Sequence, residues 1–383
     1  MMSEVDDLPR FNLKTDVNFG VGALDCLRLL SGSEAFVVAD EMMEKLGFVK
    51  SVIDTLQATG FTCMTFKDVL PDPDIKMVTR GLERMMVQSP DVIVAVGGGS
   101  VIDTAKGILY TYAKLHEDAM VKLPKLVAIP TTSGTGSEVT AFSVITVNGE
   151  KLCLVDELMT PDYAIVDPNF VSSVPESVTA DTGLDALSHA IEAYVSTQAT
   201  DFTDALAEKA IKLLFDYLLP ICSNGRDMVG REKVHNASCM AGIAFTNASL
   251  GITHSIAHAV GGLFHLPHGR AIGIMLPHVV AYNADLANGA ETLAAKKYAH
   301  LAKIIGLPTT NTIEGCQNFI CAIQVLLKEL GVKSAFNDYQ VDQLEYQEKL
   351  SIIAQLALDD NCTPTNPRTP TVADIIELAK KAY

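Results

Sequence analysis

The sequence predicts a two-domain fold: an N-terminal α/β domain on a parallel sheet (1–182) and an all-α C-terminal domain (183–383). The length of 383 residues is long for one hydrophobic core. Short apolar runs alternate with amphipathic stretches in the first half, which is typical of parallel strands joined by crossover helices. From about Gly183 onward the strand signals end and apolar residues recur at helical spacing. These three observations together predict the architecture.

Strand and helix signals alternate along the predicted α/β domain. A β-rich run from Ala35 to Ala39 ends at Asp40 and leads into a helix over 41–46. Residues 91–96 form a continuous apolar run, which is typical of a strand buried on both faces of a parallel sheet. The remaining predictions for this domain are a helix through Leu24, Leu27 and Leu30, strands at 61–66 and 125–130, helices at 73–88 and 101–112, a hairpin of 144–147 and 151–155, and a last β-rich segment at 162–168.

The predicted helical domain contains long amphipathic stretches, at 183–195, 201–219, 226–248, 252–264 and 291–305.

Composition excludes several classes of function. The chain is 48% hydrophobic and 20% charged, which is typical of a globular protein. Its net charge of -17 disfavours a nucleic-acid partner, because affinity for phosphates is built from Lys and Arg. No apolar run approaches about 18 residues, so no membrane span is predicted. Residues 1–10 lack the basic and apolar regions of a signal peptide, and we expect a cytoplasmic protein. The eight cysteines show no Cys-x-x-Cys pair, which predicts reduced thiols.

A glycine-rich turn follows the buried strand at 91–96. Gly97, Gly98, Gly99 and Ser100 stand between this strand and a helix, where backbone amides and a helix N-terminus favour a phosphate. Tight packing at a turn also requires glycine, so both interpretations stand. Ile102 occupies the small-residue place of the usual Gly-x-Gly-x-x-Gly/Ala fingerprint, and the acidic residue Asp40 precedes the turn instead of following it. The sequence therefore predicts a Rossmann-like domain without the standard fingerprint.

The loop after the strand at 125–130 is rich in hydroxyl groups and glycine. It reads Thr131-Thr-Ser-Gly-Thr-Gly-Ser-Glu138. Turn chemistry alone explains such a loop. Its place at the carboxyl end of a parallel strand also matches where open α/β sheets bind ligands.

Two stretches of the helical half carry candidate metal ligands. Asp185 and His189 are four residues apart in a predicted helix, so both side chains leave one face. His254 and His258 repeat this spacing, and His268 follows after a Gly-Gly break. A capping pair or a core histidine would explain each piece alone. Counting His265, four histidines lie within fifteen residues, and 179–200 and 247–268 contain no Lys or Arg. This favours one metal site with nitrogen and oxygen ligands.

Taken together, these motifs resemble the iron-activated (group III) alcohol dehydrogenase family over almost the whole chain. The matching motifs are Gly-Gly-Gly-Ser (97–100), Thr-Thr-Ser-Gly-Thr-Gly-Ser-Glu (131–138), Gly-x-Asp-Ala-x-x-His (183–189), His-x-x-x-His (254–258), Pro-His-Gly (267–269) and Asn-Pro-Arg (366–368). Within the family, the chain looks most similar to the propanol and ethanol dehydrogenase branch associated with bacterial microcompartments. The resemblance implies a dehydroquinate synthase-like architecture.

The resemblance also assigns roles that spacing leaves open. It implies that Asp185, His189, His254 and His268 bind Fe(II), with Zn(II) as the other candidate, and that His258 stays unligated beside the nicotinamide as a catalytic residue. The implied cofactor is NAD, bound by Gly97, Gly98, Gly99 and Ser100 at its pyrophosphate, by Thr131, Thr132 and Thr135, and by Asp40 at its adenosine ribose. His235, His265 and His278 are predicted to be structural.

The implied reaction is the NAD(H)-linked interconversion of small primary alcohols and aldehydes, such as propanol and propanal or ethanol and acetaldehyde. A divalent ion with three imidazoles and one carboxylate keeps a net positive charge and would favour deprotonation of an alcohol oxygen before hydride leaves. Alternatives are a glycerol or 1,3-propanediol dehydrogenase of the same superfamily and a lyase of the dehydroquinate synthase type. The stretches free of Lys and Arg favour a small neutral substrate. The resemblance further implies a homodimer or larger homo-oligomer.

Overall fold

The computed structural model describes residues 10–117, 121–147, 149–289 and 291–383. These residues form two compact units, an α/β unit (14–179 and 224–242) and a helical unit (10–13, 180–223 and 243–383). The predicted fold class, a parallel-sheet α/β part followed by a helical part, is confirmed. The units differ from the predicted ranges 1–182 and 183–383 in three segments, because 10–13 and 180–182 group with the helices and 224–242 with the α/β unit.

The α/β unit is built on a six-stranded sheet with the order β1-β8-β5-β4-β2-β3, in which each pair of neighbours is parallel. A separate antiparallel pair, β6 and β7, matches the predicted hairpin, although Asn148 of its turn lies outside the described residues. The strands are β1 (Asp16–Phe19), β2 (Glu34–Asp40), β3 (Thr62–Val69), β4 (Val92–Gly97), β5 (Lys125–Pro130), β6 (Phe142–Val147), β7 (Glu150–Val155) and β8 (Tyr163–Val166).

The helices of the α/β unit cover the sheet and shield its apolar strands. Strand β4 is buried along its whole length, which explains its continuous apolar sequence. The first four helices are α1 (Glu41–Lys45), α2 (Phe48–Gln57), α3 (Ile75–Met85) and α4 (Gly99–Leu115).

Nine further helices, α5 to α13, complete the described chain. They are α5 (Glu176–Val195), α6 (Asp201–Ser223), α7 (Met228–Ala248), α8 (Ile252–Phe264), α9 (His268–Asn283), α10 (Leu293–Ile304), α11 (Thr312–Glu329), α12 (Gln343–Asp359) and α13 (Val372–Ala382). Helices α8, α9, α12 and α13 enclose an apolar core that includes Ile256, Met275, Ile353 and Leu378. None of the helices in the described ranges is long and apolar enough to span a membrane.

Two glycine signals were misread in the sequence. Helix α5 begins at Glu176, whereas the prediction began it at Gly183. Gly183 lies inside the helix and serves close packing, since a Cβ there would lie 2.2 Å from Leu218 Cδ1. Helix α8 has the predicted bounds of 252–264 and continues through Gly261 and Gly262, so this glycine pair is not a break. The residue that stops α8 is His265, which adopts a left-handed conformation with φ 55.

The order in which strands are added to the sheet reverses between β2 and β4. The chain passes from β2 outward to β3 and then returns to β4 on the other side of β2. Ala39 pairs with Val96, and Gly97 pairs with Pro130, so the residues Asp40, Gly97 and Thr131 follow one another along one edge. The carboxyl ends of strands at such a switch point are where open α/β sheets bind their ligands.

Candidate metal centre and dinucleotide site

Helix α5 brings the first two predicted ligands together. Asp185 and His189 lie one turn apart, and both are buried, with relative exposures of 6% and 5%. The distance from Asp185 Oδ1 to His189 Nε2 is 3.5 Å. The His189 ring stacks on Phe245 at 4.4 Å, and burial lowers the pKa of His189 to about 4. The imidazole is therefore neutral at pH 7, which is the form that binds a metal ion.

Two more histidines reach the same carboxylate oxygen. His254 is in the first turn of α8, and His268 is the first residue of α9. Each places its Nε2 atom 3.5 Å from Asp185 Oδ1. Gly269 allows the close approach of α9 to α5, because a Cβ there would lie 2.2 Å from the carbonyl oxygen of Asp181. In the Pro-His-Gly motif, the glycine therefore allows close packing, and the histidine supplies a donor atom for a metal ion.

The described residues fit a divalent cation at this point. Asp185 Oδ1 and His254 Nε2 are buried and have no hydrogen-bond partner among the described residues, which is costly for polar atoms. Two donor atoms that each lie about 2.1 Å from one ion are separated by roughly 3 to 3.4 Å, close to the 3.5 Å separations in this site. One carboxylate and three imidazoles would hold Fe(II) or Zn(II).

A carboxylate that the sequence reasoning missed holds one of the imidazoles. Glu192 is buried, and its Oε2 atom accepts a hydrogen bond from Nδ1 of His254. Burial would disfavour a charged imidazole, but Glu192 and Asp185 outweigh it and raise the pKa of His254 to about 10. A bound cation would replace the proton on Nε2, while Glu192 keeps the proton on Nδ1. The signal was available, because Glu192 follows His189 by three residues on the same helix.

Glu192 also caps helix α8. Its Oε1 atom accepts a hydrogen bond from the backbone N–H of Thr253 at 2.8 Å. Asn366, of the Asn-Pro-Arg motif, accepts from the N–H of Ile252 at 3.3 Å through Oδ1. A Cβ at Gly251 would lie 2.7 Å from that oxygen and 3.0 Å from Glu192 Oε1. Two side chains therefore satisfy the first donors of the helix that carries His254.

The predicted catalytic residue His258 lies outside the four-donor set. Its Nδ1 atom is 2.8 Å from Oδ2 of Asp360, and its side chain is 46% exposed. The ring stacks on His268 at 5.2 Å. Burial would raise the pKa of Asp360, but hydrogen bonds from His258 and Cys362 hold it well below its usual range. Asp360 was missed because it is 102 residues from His258, and nothing local marks it.

The predicted phosphate turn opens helix α4. Gly98 is the N-cap residue and provides no side-chain cap, which leaves backbone donors at the helix end. A Cβ at Gly97 would lie 2.4 Å from Val101, and one at Gly99 would lie 3.0 Å from Thr135. Packing therefore favours glycine at 97 and leaves little room for a Cβ at 99, so the two interpretations of the turn are compatible.

The hydroxyl-rich loop is held by buried side chains of its own unit. Ser137 donates to Asp103 Oδ1 at 2.6 Å, and Ser133 pairs with Nδ1 of His235 at 2.9 Å. Burial raises the pKa of Glu138, the last residue of the loop, to about 7. Of the three predicted cofactor threonines, Thr131 is buried, whereas Thr132 and Thr135 are half-buried. Two side-chain contacts, at Ser133 and Ser137, therefore hold the loop within its unit.

Asp40 lies at the switch point, where its side chain caps a helix among the described residues. Its Oδ1 atom accepts the N–H of Met43 at 2.9 Å and so caps helix α1. The carboxylate is half-buried, so its contact with a ribose stays a prediction.

The chain is similar to known proteins in both of its halves. The model of the family described as "Iron-containing alcohol dehydrogenase" matches residues 14–168, and the model "Fe-containing alcohol dehydrogenase family, C-terminal" matches residues 179–383. The chain is 42% identical over 381 residues to "Aldehyde-alcohol dehydrogenase 2" of Entamoeba histolytica, which covers 92% of this chain and 44% of that protein. The chain therefore spans less than half the length of the first curated relatives that it matches.

Other relatives match over almost their whole length. "1-propanol dehydrogenase PduQ" of Citrobacter freundii is 40% identical over 375 residues, covering 97% of this chain and 99% of the relative. "NADPH-dependent butanol dehydrogenase" of Clostridium saccharobutylicum is 39% identical, covering 94% of each. A crystal structure of 1,3-propanediol oxidoreductase superposes with a TM-score of 0.89 at 34% identity, covering 98% of this chain and 100% of that one.

Proposed function

The chain belongs to the iron-containing alcohol dehydrogenase family, and we propose that it is a metal-dependent NAD(H) alcohol dehydrogenase acting on small primary alcohols and aldehydes. One observation carries the proposal. Three Nε2 atoms surround one buried carboxylate oxygen of Asp185, and two of these four donor atoms have no partner among the described residues.

The chain's own residues would bind and orient the reactants. When present, a divalent ion held by Asp185, His189, His254 and His268 would act as a Lewis acid on the substrate oxygen. Asp185 lowers the net charge of the site, and Glu192 keeps His254 in the tautomer that presents Nε2. Nδ1 of His258 is engaged by Asp360, so its Nε2 atom is available to exchange a proton with the substrate.

We propose that the nicotinamide cofactor binds along the switch-point edge of the α/β unit. The free end of α4 and the glycines of its turn would receive the pyrophosphate. Asp40 would bind the ribose hydroxyls, and its negative charge would repel a 2′-phosphate. This supports NAD(H), although one relative is named as NADPH-dependent.

The relatives and the charges support a small neutral substrate. PduQ is named for propanol, and another relative is named for butanol. In the helical unit, the cation nearest in sequence to the ligands, Arg270, forms an ion pair with Asp181. A carboxylated and phosphorylated substrate, as in dehydroquinate synthase-type lyases, would need unpaired cations.

A second candidate follows from the similarity to 1,3-propanediol oxidoreductase. Anaerobic assays of Fe(II)-loaded protein with NADH against acetaldehyde, propanal, butanal and 3-hydroxypropanal separate the two. A higher kcat/KM for propanal or acetaldehyde supports the proposal, and a clear preference for 3-hydroxypropanal supports the alternative. Full activity of the metal-free protein would contradict both. Homo-oligomerisation and association with a microcompartment remain predictions from the resemblance.

A further inference from the structure

A second group of donors lies beside the four-donor centre and shares no residue with it. One ring nitrogen of His258, one carboxylate oxygen of Asp360 and the sulfur of Cys362 all lie within 4.8 Å of one another. The His258 side chain is 46% exposed and that of Asp360 is 20% exposed, so an ion from solution can reach the group.

The chemistry of this group differs from that of the first centre. Asp185 and its three imidazoles offer oxygen and nitrogen only, whereas Cys362 adds a sulfur ligand. Thiolate, imidazole and carboxylate together are ligands of Zn(II), and sulfur favours the softer divalent ions. Three protein ligands leave one position of a tetrahedral ion for water.

The carboxylate of the group is already fixed in place. Oδ1 of Asp360 accepts the backbone N–H of Cys362 at 2.8 Å and the hydroxyl of Ser255 at 3.2 Å. The other oxygen, Oδ2, faces Nδ1 of His258 at 2.8 Å. An ion that binds to this group therefore meets a carboxylate with little remaining freedom, which lowers the entropic cost of binding.

We propose that His258, Asp360 and Cys362 form a second cation site, which takes a thiophilic divalent ion such as Zn(II) or Cd(II). Binding moves the ring proton of His258 from Nδ1 to Nε2, and the thiol proton of Cys362 passes to solvent. The ion fixes the His258 ring by its Nδ1 atom. Because the proposed function gives His258 the transfer of a proton, occupation of the site inhibits turnover; this consequence, unlike the binding, rests on the proposed function.

Cadmium reports the site directly, because a cadmium–thiolate bond has a charge-transfer band in the ultraviolet that nitrogen and oxygen ligands lack. The iron-loaded protein is titrated with Cd(II) without oxygen, and bound cadmium is counted by elemental analysis after dialysis. The wild type should bind one equivalent with a thiolate band. Cys362→Ser should lose both, whereas Cys321→Ser, which removes an exposed cysteine of helix α11, should keep both. Iron content and circular dichroism of each variant establish that it is folded.

Inhibition is the second measurement. Zn(II) should inhibit the iron-loaded wild type and Cys321→Ser at a concentration at least ten-fold lower than it inhibits Cys362→Ser, with the iron content unchanged. A Cys362→Ser protein that binds cadmium with the same band and stoichiometry would overturn the proposal. The two proposals fail separately: a chain inactive on every aldehyde would still show the Cys362-dependent band, and an active enzyme without that band would retain the dehydrogenase function alone.

Discussion

Glu192 and His254 form a buried carboxylate–imidazole pair in which the hydrogen bond to Nδ1 directs the Nε2 atom at Asp185. The same carboxylate caps the helix that carries His254, through the N–H of Thr253. One side chain of α5 therefore fixes the position, the ring orientation and the tautomer of a ligand on α8.

Glu192→Gln should separate two roles of Glu192, which are the capping of helix α8 and the choice of the His254 tautomer. The amide oxygen can still accept the N–H of Thr253, but its NH₂ group then faces Nδ1 of His254 and moves the ring proton to Nε2. That tautomer has no lone pair on Nε2 to offer the metal ion, so the Fe(II) dissociation constant should rise about 10- to 100-fold. Ser188→Ala, which removes only a 3.3 Å bond to Glu192, is the matched control and should change the constant much less. Wild-type affinity in Glu192→Gln would refute the tautomer role.

Replacing His254 or His258 by alanine should have different effects on iron content. His254→Ala removes a ligand and should lower iron content together with activity, as should His268→Ala. His258→Ala should retain iron and lose turnover by about 10² to 10⁴, which is typical of a positioned acid or base. Iron per chain, measured by elemental analysis, distinguishes them. A His258→Ala protein without iron, beside a His254→Ala protein that keeps it, would reverse the assignment.

The elements of the fold that have a regular apolar pattern could be predicted from the sequence. Strand β5 and helix α8 have the predicted bounds, since a doubly buried strand and an amphipathic helix each leave a periodic signature. The convergence of Asp185 and His189 followed from helical spacing. Asp360 was missed because its partner is distant in the chain. The grouping of 224–242 with the α/β unit was also missed, since it depends on tertiary contacts such as that of His235 with Ser133.

Asp40 should determine the choice of cofactor. The wild type should prefer NADH to NADPH in kcat/KM, because a carboxylate repels a 2′-phosphate. Asp40→Gly should lower this preference at least ten-fold, equal to about 1.4 kcal/mol. Asp40→Asn keeps a cap for Met43 and removes only the charge, so it should also lower the preference if charge is the cause. Equal use of both cofactors by the wild type would contradict the assignment.

Glu138 should make stability depend on pH. Burial raises its pKa in the folded chain from 4.5 to about 7, so the folded state favours the protonated carboxyl. This contribution is complete below pH 4.5 and is lost as the pH rises through about 7. Glu138→Gln should therefore gain stability relative to the wild type across that window, on the order of 1–3 kcal/mol. Urea unfolding at several pH values measures the difference, with Glu83→Gln, an exposed carboxyl, as the control for lost charge. A difference that stays constant with pH would contradict burial of Glu138 as the cause.

Gly269 and Gly262 should respond in opposite directions to alanine. A Cβ at Gly269 would lie 2.2 Å from the carbonyl oxygen of Asp181, so helix α9 must shift and carry His268 away from Asp185. Gly269→Ala should cost about 1–3 kcal/mol of unfolding free energy and weaken iron binding. Gly262 lies within α8 with nothing inside 4 Å of its Cβ position, so Gly262→Ala should stabilise by about 0.5–1 kcal/mol and leave iron affinity unchanged. Denaturant midpoints and iron titrations test both, and undiminished iron affinity in Gly269→Ala would show that His268 does not depend on this close approach.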